Sequence, residues 1–523
     1  SQLCTVGATC LASWAANTFY PADQEYRNGT TWYHVNTAYT SGATFGATDT
    51  ANASVVNGVE GLNLVNFIKG DRTHEGGETD TDMGNYYRQR NHVMGDIVSS
   101  ETNYVRGALS PFYEDPGYTA HITDVEERQS MVYVGGNDGM LHAFYAESGK
   151  MDNSTGNVVA TGGVDVVGGD EAWAFIPTAV IPNLYRLADK EYYKAANHRY
   201  YVDGSPVTAD ICVSNCNNVV SAVWKTILVG GLNGGGKSYF ALDITNPAQP
   251  KALWEFTHAN MGYTFGNPKV VKLKTGQWVV LLTSGYNNTA GDGEGYLYVV
   301  DAYSGALATS VNSTGIIGTG AGSVATPSGL GRLDAPLLTP GVDATATAVY
   351  AGDMLGNLWR FDINGDLGAV GYDAQLLATL KDDSNNAQPI TTKPLLSLVD
   401  TTLVILVGTG RYLGSSDLAD TSQQSFYAIK DTYPSGTTPS VAIFGNPRTE
   451  GSFVEQTQTS TTCPVGTSAN ICTSGESVVV SSNTAVSFSS NGGWYFDFPL
   501  AGERVNTDPA IIDGTLIFNT NAP

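Results

Sequence analysis

Six cysteines fall in three close pairs along the chain: Cys4 with Cys10, Cys212 with Cys216, and Cys463 with Cys472. Spacings this short read as local disulfide staples made in an oxidising compartment. Free buried thiols are the open alternative, because pairing does not follow from sequence alone. Zinc would require paired CxxC-like hooks, and neither these spacings nor the seven scattered histidines provide them. Two acidic runs carry the oxygen donors that a hard cation such as calcium takes. The first, Asp362-Ile363-Asn364-Gly365-Asp366 with Asp373 twelfth in the count, imitates an EF-hand loop but lacks glycine at the sixth place. A polar hairpin turn accounts for it as well. The second run holds Glu78, Asp80 and Asp82, and a solvated loop explains it equally.

Catalytic constellations are harder to assemble. Asp138, His142 and Ser148 can be imagined as a hydrolytic triad, but each belongs to a strand or turn where packing is reason enough for it. Gly236-Lys237-Ser238 copies the end of a phosphate loop, yet the strand-like Tyr239-Phe240-Ala241-Leu242-Asp243 follows where a helix is required. Lys69-Gly70-Asp71 lies one substitution from Arg-Gly-Asp, a three-residue match that carries little information. The residues support no enzymatic assignment.

Short strands must position all of these side chains. Strand-length apolar runs recur between Asn-Gly, Asn-Asp-Gly and Ser-Gly turns, the chemistry of tight antiparallel connections. Met131-Val132-Tyr133-Val134-Gly135-Gly136-Asn137-Asp138-Gly139-Met140-Leu141-His142-Ala143-Phe144 and Val349-Tyr350-Ala351-Gly352-Asp353-Met354-Leu355-Gly356-Asn357-Leu358-Trp359-Arg360-Phe361 share one pattern of strand, glycine-rich turn and strand. Thr226 to Gly231 with Tyr239 to Asp243, Tyr296 to Gly305, and Leu406 to Tyr412 with Ser425 to Lys430 repeat all or part of it. The pattern predicts blade-like sheets stacked radially, an all-β propeller. Helix-compatible stretches are few, around Leu62 to Lys69 and Met83 to Val93. Residues 1–62 read as a loop-rich extension and residues 63–523 as the propeller domain.

Composition narrows the function further. Charged residues are 15% of the 523, against about a quarter in average globular proteins, and hydrophobic residues reach 42%. Disorder is therefore excluded for most of the chain. Twenty-six Lys and Arg face 50 Asp and Glu, a net charge of -24 that disfavours nucleic acid. No apolar run is long enough to span a membrane as a helix. The opening Ser1-Gln2-Leu3-Cys4, without Met or an apolar leader, is expected of a processed chain.

Several strings go beyond generic strand chemistry. Trp224-Lys225-Thr226-Ile227-Leu228-Val229-Gly230-Gly231, Gly262-Tyr263-Thr264-Phe265-Gly266-Asn267-Pro268, Met94-Gly95-Asp96-Ile97-Val98, Gly408-Thr409-Gly410-Arg411-Tyr412 and Trp494-Tyr495-Phe496-Asp497-Phe498-Pro499 occur in an order that resembles the C-terminal domain of the PilC/PilY family of type IV pilus tip adhesins. The likeness covers roughly residues 62–518. It implies a modified seven-bladed β-propeller with quinoprotein-like architecture. It also implies an extracellular place at a pilus tip or bacterial cell surface, and a role in pilus biogenesis, adhesion and twitching motility. Minor pilins are the implied partners, met through exposed strand edges or the end at Leu516 to Pro523, where the family carries a longer tail. The host or abiotic surface ligand is not named by these residues.

The family's calcium loop, Asp-x-Asn/Asp-x-Asp-Gly-x-x-Asp, precedes the strand that here begins at Val349. Its positions hold Thr339, Gly341, Asp343, Thr345 and Thr347, one carboxylate where three or four are expected. Calcium at Asp343 is therefore expected to be lost, and no other cofactor is implied. The alternative reading is a quinoprotein-like dehydrogenase, which needs an adjacent Cys-Cys pair and a repeated tryptophan docking set that Trp254 and Trp359 do not make. A structural filament or surface-layer subunit is a third.

Overall fold

The computed structural model describes residues 61–77, 85–110, 114–339, 341–368, 370–431, 444–466, 468 and 472–523, and before these only Thr44, isolated strands and the start of one helix. The chain divides into two compact units, one of residues 1–100, 135–142 and 173–203, the other of residues 101–134, 143–172 and 204–523.

In the first unit a helix runs over Gly58–Ile68, so the sequence boundary at 62/63 falls inside it. Its end is built by the string that resembles Arg-Gly-Asp. The amides of Lys69, Gly70 and Asp71 bond the carbonyls of Val65, Phe67 and Asn66 at 3.0, 3.0 and 2.8 Å. Gly70 takes φ +106°, which an L side chain rarely adopts. The expected second helix, Met83 to Val93, does not form over its described part. Tyr87–Arg88 is a short strand parallel to Glu75–Gly76 instead. The amides that a helix would pair internally go elsewhere, Tyr87 N–H to the His74 carbonyl at 3.0 Å and Arg90 N–H to Glu75 Oε2 at 3.0 Å. A 3-10 helix over Thr178–Ala188, with Pro182 inside it, buries Val180, Leu184 and Leu187.

The second unit is a succession of antiparallel sheets. Asn103–Val105 pairs with Met131–Gly135. Sheet I joins Val207–Ser214, Val223–Gly231, Tyr239–Asp243 and Lys251–Phe256 in chain order, and sheet II joins Lys269–Lys272, Trp278–Thr283, Glu294–Asp301 and Ile316–Gly322. Sheet III follows with Leu333–Asp334, Val349–Gly352, Asn357–Phe361 and Ala374–Thr379. Sheet IV takes Leu395–Val399, Thr402–Gly408 and Ser425–Asp431, then Gly493–Asp497, with Phe453–Gln456 parallel at its far edge.

Stacking of these sheets explains why the inner strands read as unbroken apolar runs. All six residues of Trp278–Thr283 are buried. Trp278, Val280 and Leu282 pack with Trp224, Val229 and Ala241 of sheet I. Val279 and Leu281, on the opposite face, pack with Val349, Ala351 and Phe361 of sheet III. The period of two is intact, but both faces are inside. The same division puts Tyr350 and Leu358 against Ile405 and Tyr427 of sheet IV. Each such Val, Leu or Ile stabilises the stack by about 1.5–3 kcal/mol of burial. Turns between inner strands are closed by aspartate: Asp353 Oδ1 accepts from the amides of Leu355 and Asn357 at 2.9 and 2.8 Å, and its Oδ2 from Trp359 Nε1 at 2.9 Å. Burial raises the Asp353 pKa above the usual carboxylate value.

Candidate functional site

The two loops with calcium-like spacing both lie beside one strand of sheet II. Asp343, from the loop before Val349–Gly352, accepts from the amide and hydroxyl of Thr345 at 2.9 and 2.8 Å. Its Oδ1 also lies 2.8 Å from the Lys272 ammonium, which pairs with Asp115 as well. The loop backbone is sewn to the same lysine: Lys272 N–H donates to Ala344 O and Ala346 N–H to Lys272 O, both at 2.9 Å. Burial lifts the Asp343 carboxyl, but Lys272 and Thr345 outweigh it and hold the group below its ordinary range. Burial presses the Lys272 pKa down, and the two carboxylates more than reverse that. The remaining positions of the family loop offer little. Thr339 O accepts the amides of Val342 and Asp343, and the Thr347 hydroxyl donates to Pro336 O at 3.2 Å.

The EF-hand-like run is spoken for in a similar way. Asp362 is fully buried. Its Oδ1 accepts the amides of Asn364 and Gly365 at 3.0 and 2.7 Å, and its Oδ2 those of Leu367 and Tyr372 at 2.9 and 3.2 Å. Asn364 accepts from Lys274 N–H and donates to Ala346 O, each at 2.9 Å. Asp366 pairs with the Lys274 ammonium. Asp373 binds back to its own loop, its carbonyl accepting from Asp362 N–H and its carboxylate from Gln375. These donors do not fit a calcium ion, because amide hydrogens and ammonium groups already hold the oxygens a cation would need. Among the described residues no three His, Cys, Asp or Glu side chains converge as metal ligands.

Lys272 and Lys274 are the residues that the sequence reading overlooked. Their signal was the alternation Lys272-Leu273-Lys274 at the end of an apolar strand, with Leu273 buried in the core between sheets II and III. Also unread were two buried polar knots. Arg360 and Asp431, both fully buried, pair at 2.6 Å, with Tyr350 donating to the same Asp431 at 2.8 Å and Gln375 accepting from Arg360 Nε at 2.9 Å. Asp210 accepts from Tyr118 and Thr226 hydroxyls, each at 2.7 Å, and from Leu109 N–H at 2.8 Å.

The other motifs resolve into structure. Asp138 bonds His142 at 3.0 Å, whereas the exposed Ser148 hydroxyl accepts from Gly168 N–H at 2.8 Å. Lys237 of the phosphate-loop look-alike donates to Asn287 O at 3.3 Å, and strand Tyr239–Asp243 follows it. Cys212 is bonded to Cys216 and Cys463 to Cys472. Cys4, Cys10, Glu78, Asp80 and Asp82 lie outside the described residues.

The family model described as the PilY1 beta-propeller domain matches residues 94–468. Over 508 residues the chain is 30% identical to the type IV pilus biogenesis factor PilY1 of Pseudomonas aeruginosa (strain PAK), a match covering 89% of this chain and 39% of that protein. A type IV pilus biogenesis factor PilY1 homolog of Xylella fastidiosa (strain Temecula1 / ATCC 700964) is 33% identical over 382 residues, 70% of this chain and 27% of the relative. The chain thus spans well under half the length of these curated relatives. Among solved structures, the Pseudomonas aeruginosa PilY1 C-terminal domain is similar with a TM-score of 0.59 at 28% identity, over 80% of this chain and 83% of that one. Strands that stack through both faces, turns closed by aspartate and a match over most of the chain agree on one assignment: the chain belongs to the family of the PilY1 beta-propeller domain.

Proposed function

We propose that this chain is the propeller portion of a type IV pilus biogenesis factor, working outside the cell at the pilus tip as a non-enzymatic binding body in adhesion and surface motility. The match of residues 94–468 to the family model carries this reading, and the relatives named as type IV pilus biogenesis factors support it. Minor pilins are the partners we assign. Lys251–Phe256 and Ile316–Gly322 stand last in their sheets, the position at which strand addition occurs. The Lys272 and Lys274 ammonium groups at the two acidic loops support a role that needs no calcium there.

Deletion of the gene, with complementation by the intact coding sequence, tests the reading. Loss of surface pili and of attachment is expected, together with co-purification of minor pilins from complemented, piliated cells. Normal pilus number and attachment in the deletion strain would overturn it.

A further inference from the structure

Arg88 and Arg90 lie two residues apart in the first unit and are treated very differently. Arg90 is fully engaged: Nε to Glu75 Oε1 at 2.6 Å, Nη1 to Phe67 O at 2.8 Å and Nη2 to Asp71 O at 2.7 Å. Arg88 is half-buried, donates Nε to Leu187 O and sets its guanidinium carbon 5.0 Å from the centre of the Tyr192 ring. Among the described residues no carboxylate comes within ion-pair range of it, and its two terminal nitrogens have no acceptor. Burial and the neighbouring Arg90 charge both press its pKa down, so an added negative charge would be favoured there.

Arg88 lines a hollow of about 30 Å³ with Phe67, Val93, Asp138, Leu187 and Tyr192, room for a water or two or for one carboxylate group. Two acids on the same wall are already satisfied. Asp138 accepts from Gly95 N–H at 2.7 Å and bonds His142 at 3.0 Å, and Asp96 pairs with His198 at 3.1 Å. The Asp96 side chain is 51% exposed, so this rim is open to solvent. From Tyr192 a run of rings leads outward, to His198 at 6.0 Å and then to Tyr200 at 5.4 Å. Tyr185, Tyr193 and Tyr200 are all exposed, the first two beside Arg186 and Lys194. Exposed tyrosine and arginine around a polar recess is the composition of protein docking sites. A guanidinium fork with free N–H groups matches a carboxylate in shape and charge. In a chain of net charge -24, acidic partners are repelled elsewhere, so a local cation of this kind selects where one docks.

We propose that this hollow receives a carboxylate of a partner polypeptide, anchored by the Arg88 guanidinium, with the residues flanking it lying along the Tyr192 to Tyr200 rings. The inference rests on the geometry of this unit and does not depend on a role in a pilus.

Calorimetric titration of the full chain with three capped peptides tests it: N-acetyl-Gly-Asp-Gly-amide, N-acetyl-Gly-Gly-Gly with a free carboxyl end, and N-acetyl-Gly-Gly-Gly-amide. At least one carboxylate-bearing peptide is expected to bind and the amide is not. Heat from the first alone assigns a side-chain carboxylate, and heat from the second alone a chain terminus. Arg88→Gln should weaken binding by about 10-fold or more, the worth of a charge-assisted hydrogen bond, and Lys150→Gln, at an exposed lysine of the other unit, should leave it unchanged. In the unaltered chain acetate should displace the bound peptide and acetamide should not, which keeps the test independent of whether Arg88→Gln folds. Equal binding of all three peptides, binding of none, displacement by acetamide, or a folded Arg88→Gln chain that binds like the parent would overturn the proposal.

Discussion

Lys272 Nζ lies 2.8 Å from Asp343 Oδ1 and pairs at the same time with Asp115, a residue 157 positions away. One ammonium therefore neutralises two acids and ties a loop of sheet III to the first strand of sheet II. All three side chains are largely sheltered, with 14%, 11% and 22% exposed for Lys272, Asp115 and Asp343. Screening by solvent is correspondingly reduced.

Replacement of that lysine by methionine should cost about 3 kcal/mol, the low end for stranding charge in a partly buried site. The loss should depend on pH. Asp343 has a lowered pKa in the fold, so its contribution is present above the unfolded value of 3.8 and fades as pH falls through the folded value. Lys272 has a raised pKa, so its contribution is present below 10.5 and fades as pH rises through the folded value. Urea unfolding of parent and Lys272→Met chains should therefore differ most near neutrality and converge in acid. A constant gap from pH 7 down to pH 3 would show that the pair is not responsible.

Chelation should leave the strands Val349–Gly352 and Asn357–Phe361 folded. Apolar packing against sheets II and IV holds them, and Lys272 and Lys274 supply the positive charge at the two acidic loops. Circular dichroism and the thermal midpoint are expected to be unchanged by EGTA. Micromolar calcium binding that disappears on Asp343→Ala would contradict this.

Arg360 and Asp431 should be the most sensitive ion pair to break on one side. Asp431→Ala leaves a fully buried guanidinium facing Tyr350 and Gln375, at a cost of about 3–5 kcal/mol. Arg360→Met with Asp431→Leu should recover much of the loss, because neither charge is then stranded. Denaturant midpoints of the single and double variants decide this, and a double variant no better than Asp431→Ala would refute it.

Opening the bond between Cys212 and Cys216 should destabilise the chain by ~2 kcal/mol, and opening that between Cys463 and Cys472 by ~3 kcal/mol, since the second closes the longer loop. Peptide mapping without reduction should recover each pair as one linked fragment. Free thiols at either pair, or cross-linking between them, would be incompatible with the structure.

Much of this molecule is written locally. The run Thr402-Leu403-Val404-Ile405-Leu406-Val407 is long enough for a strand and too apolar for a one-sided one, and it forms the strand Thr402–Gly408 buried from both sides. The turn from Asp353 to Gly356 was readable because glycine at φ +79° and an aspartate accepting nearby amides are features of adjacent residues. The stretch from Met83 to Val93 was misread for the opposite reason. Arg90 and Glu75 decide its path, and a pairing across 15 residues leaves no period in the sequence.

From its residues alone this chain declared its strands, its turns and its repeated sheets, which depend on side-chain alternation and on neighbours a few positions apart, while its family was legible only through the resemblance of its ordered motifs. Tertiary structure decided what the acidic residues do. Asp343 and Asp366 carry the spacing of cation ligands, but their charge is met by Lys272 and by Lys274, the latter 92 positions from its partner. A carboxylate takes whichever positive group the fold brings within reach, and only stacking of sheet II on sheet III brings those two lysines there.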